Sequence, residues 1–116
     1  MGLFDKARKK VWEENESRPD IKDVVKNYIQ FAKSKSSAEL RDLKRTLALS
    51  SDDETRVSMV CYGLYDSAVA SGVNPVLAIA IDGVVETIQG HFKLSHEKIT
   101  QIFILTNKDR IQELTK

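Results

Sequence analysis

Apolar residues recur at Ile21, Val24, Val25, Tyr28, Ile29 and Ala32, spaced i, i+3, i+4, i+7, i+8, i+11. This is one face of a helix, and it is the clearest amphipathic stripe in the chain. Ser17 is a suitable N-cap for it, with Pro19 and Asp20 in the first turn. A shorter stripe precedes it over residues 2–14, where Leu3, Phe4, Ala7 and Val11 fall on one side. After the polar Lys33–Ser37 stretch, Ser36 and Glu39 form a capping-box pair three residues apart. A third helix follows with Leu40, Leu43 and Leu47 on its face. Ser51 and Glu54 repeat the signal, and Asp52, Asp53 and Glu54 suit the positive end of a helix dipole. The fourth helix carries Val57, Val60, Cys61, Leu64 and Ala68, and Gly72 stops it as a C′ residue.

Asn74-Pro75 starts a fifth segment that is almost wholly apolar to Phe92. Two readings compete there. Asp82-Gly83 can turn a hairpin between Val76–Ile81 and Val84–Ile88, or the whole segment can be one helix. Neither arm alternates cleanly, so the helix is favoured. Ser95 caps a last helix with Ile99, Ile102, Phe103 and Thr106, bending near Asn107, after which Ile111 and Leu114 continue a weaker stripe. The fold class expected is all-α: a compact bundle of five to six helices in one domain over 1–116. Residues 1–16 form a separable N-terminal amphipathic helix in this reading. The expected centre is an antiparallel pair, 53–71 with 75–91. Small residues Gly63 and Ser67 on one member, and Ala80, Gly83, Thr87 and Gly90 on the other, allow close approach or, as the sharper reading, a homodimer seam.

Composition adds exclusions. Hydrophobic residues make up 41% and charged residues 30% of 116 residues, ordinary for a globular domain. A net charge of +1 argues against a strongly basic nucleic-acid binder. The charge is uneven: +4 over residues 1–50, −5 over 51–92 and +2 over 93–116. Arg41, Lys44 and Arg45, or Lys33 and Lys35, could reach a phosphate, though solvated helix faces with interspersed acids are the stronger reading. The apolar Pro75–Ile81 stretch cannot read bases as a recognition helix would. The longest apolar run, Val76–Ile81, is far short of a membrane span. With one cysteine and no signal-like segment, the expected location is the cytoplasm.

Candidate chemistry is sparse. The five glycines have no phosphate-cradle spacing. His96-Glu97-Lys98-Ile99-Thr100 begins like a zinc-protease helix but has Thr100 where the second histidine belongs. His91 and His96 are read as surface or cap residues, and Cys61 as a buried, inert thiol. Asp82 interrupts an apolar run and is read as facing solvent or pairing with a cation. Neither a catalytic residue, a metal site nor a cofactor is expected. Gly2-Leu3-Phe4-Asp5-Lys6 and Ala80-Ile81-Asp82-Gly83 resemble the tellurite-resistance TerB-type helical domains. In that family a Ser or Thr follows two residues after the Asp-Gly, with a Glu three further on. Here Glu86 and Thr87 follow Val84-Val85, so neither the family nor its metal site is assigned.

The expected function is a small non-enzymatic protein that binds another protein, as adaptor, inhibitor or regulator, with self-association as an option. The contact residues expected are Leu3, Phe4 and Trp12, and secondly Asp52, Asp53 and Glu54. Two alternatives stand beside it. One is a peripheral membrane protein using the basic N-terminal helix. The other is a weak nucleic-acid binder.

Overall fold

Six helices are seen among the described residues of the computed structural model, which are 19–70, 72, 74–75 and 82–114. They are α1 (Pro19–Lys33), α2 (Ser37–Thr46), α3 (Asp52–Ala70), α4 (Asp82–His91), α5 (His96–Thr106) and α6 (Lys108–Leu114). The local signals explain where they begin. Ser36 Oγ accepts from Glu39 N–H, and the Glu39 carboxylate accepts from Ser36 N–H at 2.8 Å, a complete capping box. Ser51 Oγ accepts from Glu54 N–H at 3.1 Å at the head of α3. Ser95 Oγ accepts from Lys98 N–H at 3.1 Å at the head of α5.

The periodic positions supply the core. Val25, Ile29 and Ala32 of α1 are buried with Val57, Val60, Cys61, Leu64 and Tyr65 of α3. Val84, Val85 and Ile88 of α4 join them, with Phe92 and with Ile99, Ile102 and Phe103 of α5. Each buried aliphatic side chain contributes roughly 1.5–3 kcal/mol. Nineteen residues long, α3 is the centre, packed against α1, α2 and α5.

The tight antiparallel pair is α1 with α3. Arg56 near the head of α3 donates to the Lys35 carbonyl just beyond α1 at 2.9 Å, while Gly63 further on meets Tyr28 earlier in α1. The two helices therefore run in opposite directions. Of the 75–91 segment expected to pair with α3, the described part, α4, packs on α5 and α1. The hairpin alternative is overturned, because Asp82 and Gly83 are helical and so is the supposed second arm, Val84–Ile88. Continuous burial of Val84, Val85 and Ile88 on a 3.6-residue period, not a two-residue one, explains the choice.

The end of α2 is unusual. Leu49 N–H donates to the Lys44 carbonyl at 2.9 Å and Ala48 N–H to the Arg45 carbonyl at 3.1 Å, the two bonds of a Schellman motif. The residue between them needs a left-handed backbone, and Ala48 has φ 54° where glycine is usual. An L-residue there costs about 1–2 kcal/mol. Glycine removes that strain but loses about 0.5–1 kcal/mol in the unfolded chain. Ala48→Gly is therefore expected to stabilise the fold by about 0.5–1 kcal/mol, seen as a higher urea midpoint with an unchanged slope. An unchanged or lower midpoint would contradict this account. Gly72 plays the same part conventionally, at φ 76° after α3.

The break between α5 and α6 has a side-chain cause. Asn107 is buried and its Nδ2 donates to the Phe103 and Cys61 carbonyls at 3.3 and 3.5 Å. Its Oδ1 accepts from Arg110 at 3.0 Å. The Arg110 guanidinium lies 4.3 Å and 4.2 Å from the ring centroids of Tyr62 and Tyr65, and pairs with Asp66. The bend expected near Asn107 is thus a cap fastened to α3.

Candidate functional site

Helix α2 presents Arg41, Lys44 and Arg45 at i, i+3 and i+4, which helical spacing makes neighbours. The left-handed turn at Ala48 then brings Leu49 and the head of α3 back beside them. The result is an open groove of about 950 Å³, walled by these three cations and by Ser37, with Ala48, Leu49 and Asp52 completing it. Asp52 ties the two helices together: the Ser37 hydroxyl donates to one of its oxygens and Lys44 Nζ lies 3.3 Å from the other. The Ser37 hydrogen bond, and then that of Lys44, hold the Asp52 carboxyl below its ordinary range, so it stays ionised. Arg45 pairs with Asp42 at 3.0 Å, but both side chains stand in solvent. Such a pair is worth little and exchanges readily. Arg41 is exposed and has no ion-pair partner among the described residues.

The expected acidic contact patch is dispersed by the fold. Glu54 is buried, receiving the hydroxyls of Ser50 and Ser51 and pairing with Lys98 of α5 at 3.2 Å. The Ser50 hydrogen bond leads in pushing its carboxyl down, with Lys98 assisting and burial opposing. Asp52 is half-buried in the groove, and Asp53 alone stays exposed, paired with Arg56 at 3.2 Å. Leu3, Phe4 and Trp12 lie outside the described residues, as does Ala80.

The small residues divide in the same way. Gly63 is buried against Tyr28 of α1, and Ser67 and Gly83 are half-buried. Thr87 is exposed and donates to the Gly83 carbonyl at 2.9 Å. Gly90 is exposed with open space about its α-carbon, so it marks no close helix approach. The side chain of Asp82 lies outside the described set.

Cys61 is fully buried, and burial pushes its thiol far above the ordinary range, which leaves it unreactive at neutral pH. His91 is exposed and its Nδ1 accepts from Lys33 Nζ at 3.2 Å. Among the described residues, no three His, Cys, Asp or Glu side chains gather as a metal site. Nor is any of their helices long and apolar enough to cross a membrane.

The sequence placed Arg41, Lys44 and Arg45 on one helix but could not see Ser37, Ala48, Leu49 and Asp52 opposite them. No sequence signal reported the left-handed turn, because alanine occupies a position that glycine would have advertised. No protein-family model, curated protein or solved structure matches the chain.

Proposed function

We propose that the protein is a small non-enzymatic binding module of the cytoplasm that acts by holding another protein, as adaptor, inhibitor or regulator. The observation that carries this reading is the open α2–α3 groove, where Arg41 has no partner among the described residues and Arg45 has only a solvent-exposed one. Its cations stand on α2, which Ser37 and Lys44 tie to Asp52 at the head of α3. A pre-formed site binds without first ordering its own backbone, which lowers the cost of association. The near-neutral chain supports a local charged contact rather than wholesale attraction to a polyanion.

The test is affinity capture of the full chain from its native cell, after nuclease treatment, read by mass spectrometry. A protein retained in stoichiometric amount is the expected outcome. Capture that disappears with nuclease, or retention of nothing at all, would overturn the reading.

A further inference from the structure

We propose that the α2–α3 groove recognises a carboxylate-rich segment of its protein partner, an Asp/Glu stretch carrying an aliphatic side chain. This rests on the protein-binding reading above and adds the chemistry of what is bound. Three observations carry it.

The first is the charge left over. Lys44 is matched internally by Asp52, whereas Arg41 is unmatched among the described residues and Arg45 is held only by a carboxylate in solvent. Two guanidinium groups are therefore offered outward, and each can grip a carboxylate with two parallel hydrogen bonds. The second is the mixed surface. Ala48 and Leu49 give the groove an apolar portion that a purely ionic ligand would leave unused. The third is Asp52, an ionised carboxylate within the groove itself. With Lys44 neutralised by Asp52, the groove's outward positive charge is confined to Arg41 and Arg45, which suits a short peptide whose acids fall beside them and whose aliphatic residue falls near Leu49. The ten-residue α2 is about 15 Å long, the reach of roughly four or five extended peptide residues.

The probe is a fluorescein-labelled Asp-Glu-Leu-Asp-Glu-Leu peptide titrated with the full chain and read by anisotropy. Its neutral counterpart, Asn-Gln-Leu-Asn-Gln-Leu, and a labelled oligouridylate are run beside it. The acidic peptide is expected to bind at least tenfold more tightly than either. The double variant Arg41→Glu, Arg45→Glu should lose at least tenfold. The charge-matched double variant Lys93→Glu, Lys108→Glu, at exposed positions outside the groove, should change less than twofold. Should the groove variant lose helicity, Arg41→Gln with Arg45→Gln replaces it under the same criterion.

Equal losses in the groove and control variants would overturn the proposal, because the field of the whole molecule would then be responsible. Tighter binding of the oligouridylate would overturn it in favour of nucleic acid. In native-cell capture, a partner retained equally by wild type and groove variant would overturn the groove assignment while leaving the protein-binding reading intact. Retention of no partner would remove both.

Discussion

Gly63→Val is expected to destabilise the fold by about 3 kcal/mol, measured as a lower urea midpoint. A Cβ at this position would stand 2.3–2.6 Å from three ring atoms of Tyr28, well inside contact distance. The ring cannot simply yield, because Tyr28 is half-buried and packed against the core between α1 and α3. Alanine is the sharper probe. In a free helix Gly→Ala gains about 1 kcal/mol, and overpacking costs about 1–3 kcal/mol. Gly63→Ala is therefore expected to come out destabilising by about 1 kcal/mol. In a Tyr28→Ala background the ring is gone, and the same change should turn stabilising. A Gly63→Ala effect that keeps its sign in both backgrounds would refute the close α1–α3 approach.

Glu54→Gln is expected to cost about 2 kcal/mol near neutral pH, for a different reason. The carboxylate is buried, yet it is surrounded by the Ser50 and Ser51 hydroxyls and the Lys98 ammonium. An amide cannot replace that ionic contact, and its NH2 group cannot accept the hydrogen bond that a carboxylate oxygen now receives. Lys98 is partly in solvent and can turn outward, which keeps the cost below that of a fully buried broken pair. The pH dependence follows from the lowered carboxyl. Its folded value lies below the ordinary 4.5, so the stabilisation is complete above that value and is lost as pH falls through the folded one. Wild type should therefore lose its advantage over Glu54→Gln in acid. A constant gap from neutral pH to pH 3 would show that Glu54 does not act through its charge.

These two residues also show what the sequence could and could not convey. Ser51 and Glu54 announced the start of α3 because capping is local chemistry, and the start is where they placed it. The same spacing said nothing about Lys98, which lies 44 residues onward and meets Glu54 only through the packing of α5. The triplet Asp52–Glu54 therefore read as one acidic patch, although tertiary contacts send its members to three different environments. Gly63 was legible as a close-packing residue, since glycine inside a helix needs a reason. Its partner was not, because small-residue spacing identifies a face without naming what covers it. Short links favour the next helix in sequence, whereas α1 packs on α3 through the apolar stripe of Val25, Ile29 and Ala32. The groove lay beyond reach for the same reason. Its cations were visible on α2, while the turn that folds Ala48, Leu49 and Asp52 toward them is a tertiary arrangement.

The most direct test of the account is an amide chemical-shift titration of the isotope-labelled full chain with the unlabelled Asp-Glu-Leu-Asp-Glu-Leu peptide. Saturating shifts confined to the groove are expected, at Ser37, Arg41, Lys44, Arg45, Ala48 and Asp52, with α5 and α6 unmoved. Shifts spread over exposed lysines throughout the molecule, or centred outside α2 and the head of α3, would contradict it.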